Sequence, residues 1–410
     1  MQNGDCWGCV DRELDVERRV PPLVSARVGV ADYRARNIWI RRVPQVKVGT
    51  LTFHRAWNYG AVLQAYALQR SLESLGVECE VIDYRCEELE RNYRVLSMSD
   101  RRVLGFASAL AHLPSRVKSR ARFQAFRTKY LRCSNRPYSR TDVSSASLEY
   151  DYLVVGSDQV WNPGLTGGDM SYFLDFSGEG SKKISYAASL GKRESIGAND
   201  ALYLRHLRDF RAVSVRESDS RVHLAALLGR DVSWVMDPVF LLSAGEWEPL
   251  CAITRKTQPY IFVYCLHELQ LYEYAARIQA ISGFDVVYVP QSLKAKIVGH
   301  RVVSPSVEEF LGYIRNAELV ITDSFHVLAF SMVFHRHFKV QLKDQLADLN
   351  SRVLSLLESV GLEQQVLSSD DYECDVLPVV DYTAAEGRIR SRVEESIEYL
   401  RDSLELSAGS

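Results

Sequence analysis

No apolar run in the 410-residue chain approaches the ~18 uninterrupted residues that cross a bilayer. The N-terminus also lacks a signal-peptide core, carrying Asp5, Asp11, Glu13, Asp15 and Glu17 instead, so a cytoplasmic protein is expected. Charge of one sign is missing too. Fifty Lys and Arg against 52 Asp and Glu leave a formal net charge of -2, which points away from a nucleic-acid partner and from an acidic scaffold. Cysteine is sparse and scattered, eight residues in a long chain, which argues for free thiols over a disulfide framework. Cys6-Trp7-Gly8-Cys9 is a lone CxxC without a second pair or neighbouring histidines, a weak zinc or redox signal. Neither Gly-x-Gly-x-x-Gly nor a Walker sequence occurs, and no histidine and carboxylate spacing points to a metal centre.

Apolar residues at 47% and charged residues at 25% are ordinary for a globular protein, and the length favours two domains. From residue 46 onward the pattern alternates strand, loop and helix. Strands are predicted at 46–53, 77–82, 152–155, 184–187, 213–215 and 232–236, then at 260–264, 285–289, 319–321 and 338–342. Ala61, Ala65, Leu68, Leu72 and Leu75 recur at helical spacing, and a helix over 269–281 stops at Gly283. Ser306 with Glu309, and Thr383 with Glu386, read as capping boxes. Ile389, Val393, Ile397, Leu400 and Leu404 form one apolar face that is expected to pack back on a domain.

Strands alternating with helices imply parallel sheets covered on both faces, hence an α/β fold of two Rossmann-like domains facing a central cleft. The expected division is an N-terminal extension over 1–45, a first domain over 46–237, a second over 238–365, and a tail and helix over 366–410. A basic helical insertion interrupts the first domain at 89–132; between Arg91 and Arg132 Asp100 is the lone acid. It reads either as a solvated face with snorkelling arginines or as an acceptor or membrane-surface patch.

Polar clusters sit where predicted strands end, the position at which open α/β sheets collect ligands. Val320-Ile321-Thr322-Asp323-Ser324-Phe325-His326 is the most informative, because Asp and Ser before His326 can set its tautomer and pKa. Trp57-Asn58-Tyr59-Gly60 opens a helix whose free amides, approached past Gly60, suit an anion. Gly156-Ser157-Asp158 and Tyr186-Ala187-Ala188-Ser189 add small polar groups, and Val215-Arg216-Glu217 puts a fixed cation at a strand end. Alone, each reads equally as a turn, a cap or a salt bridge.

Together, Leu51-Thr52-Phe53-His54, the run from Asn58 to Leu68, Val154 to Pro163, Ile184 to Gly191, Val213 to Glu217, Asp237-Pro238 and Ile321 to His326 resemble the polysaccharide pyruvyl transferase family. The resemblance implies a fold similar to the GT-B architecture of two-domain, metal-independent glycosyltransferases. It also implies transfer of the enolpyruvyl unit of phosphoenolpyruvate onto two hydroxyls of a cell-surface polysaccharide sugar, or its precursor, as a cyclic ketal. Phosphoenolpyruvate would be a substrate, and no cofactor is expected. Arg216 and His326 match family positions that handle the donor, with Lys343 a further match and Lys339 nearly as well placed. Where the family has Gly-Thr after the histidine this chain has Val327-Leu328, a bulkier pair expected to narrow the site.

On this reading Arg216 clamps the phosphate or the carboxylate, Lys343 and the amides near Asn58, Gly60, Ser189 and Ser324 hold the other group, and His326 is the general acid or base. His54 and Asp158 are candidates for protonating C3. The acceptor is a sugar, with a lipid-linked one and peripheral contact at the inner membrane face suggested by the basic insertion. Two other readings stay open: a nucleotide-sugar glycosyltransferase of GT-B type, for which Asp237 or Glu308 would bind ribose, and a catalytically silent partner in glycan assembly.

Overall fold

The computed structural model describes residues 46–92, 103–146, 148–177, 180–191, 195–252, 258–267, 269–290, 299–302, 304–343 and 350–407; for residues 92, 103–112, 195 and 196 it describes the backbone alone. The expected extension over 1–45 and its CxxC lie outside the described residues.

Two parallel sheets form the frame. The first contains β1 (Lys47–Leu51), β2 (Glu78–Val81), β3 (Tyr152–Asp158), β4 (Lys182–Ala188), β5 (Ser214–Val215) and β6 (Ser233–Trp234), in spatial order β2-β1-β3-β4-β5-β6. The second contains β7 (Tyr260–Tyr264), β8 (Asp285–Tyr288), β9 (His300–Arg301), β10 (Leu319–Thr322) and β11 (His337–Val340), in order β11-β10-β7-β8-β9. Every residue of β3, β7 and β10 is buried, the continuous burial that a parallel sheet covered on both faces requires. The chain is thus an α/β protein of two Rossmann-like domains.

Strand order locates the ligand crevice. In the first sheet β1 is followed on one side by β2 and on the other by β3, so the connections diverge between β1 and β3. In the second sheet they diverge between β7 and β10. A crevice opens beyond the carboxyl ends of strands at each such point. Asp158 ends β3 there, and the segments leaving β1, β7 and β10 carry His54 to Gly60, His267 and His326.

Six helices position the site: α1 (Tyr59–Ser74), α2 (Val103–Tyr130), α3 (Val307–Arg315), α4 (Phe325–Val333), α5 (Ser351–Val360) and α6 (Thr383–Ser403). α1 is buried almost all round because it lies between the sheets: Leu68 and Leu72 pack with β1 and β3, while Val62, Leu63 and Tyr66 join the core of the second domain. Its Tyr59 ring stacks on Phe310 of α3 at 3.8 Å, and its hydroxyl donates to the Pro305 carbonyl at 2.9 Å. α2 is the basic insertion. Phe123 and Phe126 anchor it on Tyr59 and Tyr66, and Arg122 reaches across to Glu309 at 2.7 Å.

Sequence and structure differ at the start of α6. Ser306 and Glu309 form the expected reciprocal capping box, but Thr383 and Glu386 do not. Asp381 takes that place by accepting from the Thr383 amide at 2.9 Å, so a carboxylate two residues upstream caps the first turn. Farther along α6, Val393, Ile397, Leu400 and Leu404 pack against Val48, Tyr152, Val154 and Tyr186 of the first domain. Leu400→Ala removes a side chain with no exposed surface and is expected to cost about 2–5 kcal/mol in urea unfolding; a change below about 0.5 kcal/mol would show that α6 is not part of the cooperative core.

Candidate active site

The segments at the two divergence points enclose a cavity of about 590 Å³ between the sheets. From the first domain Asn58, Gly60 and Asp158 line it; from the second come His267, Ser324, His326, Lys343 and Arg352. Asp323 shapes the floor by accepting from the Leu266 and His267 amides, both at 2.7 Å. The Thr322 hydroxyl donates to the Tyr264 carbonyl at 2.7 Å and accepts from the Ser324 amide at 3.0 Å. Adjacent strand ends are thereby tied together.

His326 occupies the second residue of α4 and lies flat against α1. A methyl placed on Gly60 would meet the imidazole Nδ1 at 2.0 Å, so only a residue without a side chain permits the ring to sit there. Its Nε2 is sealed from solvent without a hydrogen-bond partner, 3.6 Å from Asp237 Oδ2. That separation exceeds a hydrogen bond but is close enough for the carboxylate to favour a proton on Nε2. Nδ1 then carries the lone pair and lies against Gly60, itself a residue of the cavity wall.

Asp237 is the hub behind the ring. Its Oδ2 accepts from Arg216 Nη1 at 2.6 Å and from the Ser157 hydroxyl at 3.2 Å, and Oδ1 accepts from the Val239 amide at 3.2 Å. Burial alone would raise this carboxyl, yet His326 and Arg216 hold it below the usual carboxylate range. The ribose-binding role considered for Asp237 is therefore unavailable, since it is committed to protein groups.

The structure revises the role expected of Arg216. It does not line the cavity. The guanidinium stands over the Phe325 ring at 4.5 Å, paired with Asp237, 3.5 Å from Asp158 and 3.5 Å from Glu217. Burial opposes its charge, but Asp237, Glu217 and Asp158 together raise its pKa above the ordinary value. Glu217 is itself buried with neither carboxylate oxygen hydrogen-bonded, and burial pushes its pKa up.

Arg352, which the motif reading missed, takes the cavity position. Only 9% exposed, it carries an Nε with no partner and lines the wall beside Lys343 and Asn350. Burial and then the charge of Arg216 lower its pKa to about 10. Burial and then Lys343 lower His267, on the same wall. Arg352 and Lys343, two cations lining one cavity, suit an anion. The sequence did hold a signal for Arg352: it falls in helical register with Leu356 and Val360 on the buried face of α5, where an arginine needs a reason.

The remaining sites divide. Lys343 lines the cavity, whereas Lys339 is bound to Asp371 at 2.6 Å, which separates two lysines that sequence left together. Asn58 caps α1 by accepting from the Ala61 amide at 3.1 Å, and it borders the cavity, as does Ser324. Ser189 does not; it is fully buried, its amide donating to the Asp158 carbonyl at 2.9 Å. His54 also misses the cleft. It lines a neighbouring cavity, with Nδ1 3.1 Å from the Thr52 carbonyl and Nε2 2.9 Å from Asp83, and burial lowers its pKa despite that carboxylate. Both nitrogens are occupied, so of the two proposed proton donors only Asp158 faces the cleft. Val327 and Leu328 are buried in α4; Val327 lines the cavity, while Leu328 lies in the core behind it.

A family model, polysaccharide pyruvyl transferase, matches residues 58–338. The chain belongs to the polysaccharide pyruvyl transferase family. The match takes in Gly60, Asp158, Arg216, Asp237 and His326, while Lys343 and Arg352 follow it. Similar solved structures include a putative UDP-N-acetylglucosamine 2-epimerase from Listeria monocytogenes at 11% identity, covering 87% of this chain and 90% of that one, TM-score 0.44. UDP-GlcNAc 2-epimerase from Methanocaldococcus jannaschii is 12% identical, with 85% and 92% covered and a TM-score of 0.48. ADP-heptose LPS heptosyltransferase II from E. coli is 11% identical, with 88% and 98% covered and a TM-score of 0.36. No curated protein matches the chain.

For this pyruvyl transferase family member, Gly60→Ala drives the His326 ring from its seat. Transfer is expected to fall by ~10²-fold or more, as displacement of a reacting group by an ångström does. The circular dichroism spectrum should stay unchanged; a variant of full activity would show that the seat is not needed.

Proposed function

We propose that the cleft transfers the pyruvyl unit of phosphoenolpyruvate onto two hydroxyls of a sugar in a polysaccharide or its precursor, forming a cyclic ketal and releasing inorganic phosphate. The observation that carries this reading is the grouping of Arg352 and Lys343 on the same cavity wall as His326. A donor bearing both a phosphate and a carboxylate needs cations for one group and cations or backbone amides for the other, without an apolar slot for a base. Phosphoenolpyruvate is a substrate on this reading, so no separate cofactor is called for, and a donor from central metabolism puts the reaction in the cytoplasm.

The first acceptor hydroxyl adds to C2 while the C2–C3 π electrons take a proton at C3, turning the methylene into a methyl group. His326 Nδ1 accepts the hydroxyl proton, and Asp237 stabilises the imidazolium that results. The C2–O bond to phosphate then breaks, its electron pair leaving with the phosphate. The second hydroxyl attacks C2 and gives its proton to the carboxylate that Asp158 becomes after protonating C3, which closes the ketal. Arg352 and Lys343 hold the departing phosphate, and the amides at the start of α1 or α4 face the carboxylate. Asp158 is the proposed source of the C3 proton. Arg216 acts indirectly, by fixing Asp237.

Calorimetry with phosphoenolpyruvate and UDP-N-acetylglucosamine tests the donor. Phosphoenolpyruvate is expected to bind the wild type and to lose about tenfold or more in affinity in Arg352→Gln, since a charge-assisted hydrogen bond is lost. His326→Gln should keep that binding and lose ~10²–10⁴-fold in acceptor-dependent phosphate release across a panel of free and diphosphate-linked hexosides. Binding of the nucleotide sugar with none of phosphoenolpyruvate would replace this reading by glycosyl transfer.

A further inference from the structure

A second cavity, of about 610 Å³, opens beside the donor cleft, and Ala56 walls both. Four arginines border it: Arg55, Arg85, Arg120 and Arg127. Two are neutralised. Arg55 donates to both oxygens of Asp83 at 2.7 Å, and Arg85 donates to both oxygens of Glu90 at 3.0 and 2.8 Å. Arg120 and Arg127 have no carboxylate partner among the described residues. They stand seven residues apart on α2, with Gln124 between them, and so share one face of the helix. Phe123 and Phe126 bury the adjoining face, and Arg122 pins α2 to the second domain, so both cations are presented from a fixed support. Burial and then the charge of Arg55 lower the pKa of part-buried Arg127, although Asp83 and Glu90, the latter also on the cavity wall, act in the opposite sense. His54, on the inner wall, is depressed by burial and adds no charge.

We infer that this cavity binds a phosphate or diphosphate group of the acceptor, so that the acceptor is a diphosphate-linked sugar whose hydroxyls enter the adjoining cleft. Planar guanidinium forks match phosphate oxygens two at a time, and two unpaired arginines suit the two phosphates of a diphosphate. Trp57 stands on the loop between the cavities, where its ring offers an apolar face to the sugar that joins the two groups. An uncharged glycan would have no use for this cation pair. The inference rests on the donor occupying the first cavity, as proposed above.

The test titrates inorganic pyrophosphate into the full chain with and without saturating phosphoenolpyruvate, in wild type, Arg120→Gln and the Arg120→Gln/Arg127→Gln double variant. Wild type is expected to bind pyrophosphate alongside phosphoenolpyruvate, and the double variant to bind it about tenfold or more weakly, with phosphoenolpyruvate affinity unchanged. Arg120 is exposed, so its single variant tests the site without a burden on folding. Pyrophosphate that competes with phosphoenolpyruvate, or binds the double variant as it does the wild type, overturns the inference. Pyrophosphate binding that depends on Arg120 and Arg127 in a protein that ignores phosphoenolpyruvate would uphold this site and reject the donor reading instead. Geranyl diphosphate binding more tightly than uridine diphosphate would identify a lipid-linked acceptor, and the reverse order a nucleotide-linked one.

Discussion

The carboxylate of Asp237 is the constraint on which the rest of the site depends. One side chain joins the end of β3 through Ser157, the end of β5 through Arg216, the crossing to the second domain through the Val239 amide, and the second domain itself through His326. Buried charges are tolerated only when paired and hydrogen-bonded. Here two guanidinium groups, Arg216 and Arg352, face the carboxyls of Asp158, Glu217 and Asp237. Burial raises the pKa of Glu217 while Arg216 opposes that shift, which makes it a weaker counter-ion than Asp237. Arg216 therefore serves as the counter-ion that keeps Asp237 ionised behind His326, and the outward-facing cation is left to Arg352.

The domains meet through contacts that are themselves part of the site. Tyr59 stacks on Phe310, and His326 rests on Gly60, so the residues that enclose the cleft also fix its width. α2 adds a third link through Arg122 and Glu309 and carries Arg120 and Arg127 of the neighbouring cavity. A donor pocket and an acceptor-anion pocket separated by one loop give a reaction geometry in which the sugar alone has to cross. Interdomain packing thus becomes substrate alignment.

Much of this was legible in the sequence because periodicity reports burial. The ten predicted strands coincide with observed strands to within a few residues, and the eleventh, His300–Arg301, was missed because two exposed polar residues carry no apolar signal. His326, Asn58 and Gly60 were found from their place at strand ends and helix starts. What sequence could not supply was direction. Arg216, Ser189 and His54 sit at the right strand ends but turn into the wall or into the next cavity, a choice made by partners distant in the chain such as Asp237 and Asp83. Arg352 was missed for the converse reason: it belongs to no motif, and only the packing of α5 brings it to the cleft.

The most direct measurement is a crystal structure of the protein with phosphoenolpyruvate bound. The account requires the phosphate to lie against Arg352 and Lys343, with C2 facing His326 Nδ1 and Arg216 still paired to Asp237. Phosphoenolpyruvate found between Arg120 and Arg127, or bound directly by a displaced Arg216 with Arg352 uninvolved, would contradict it.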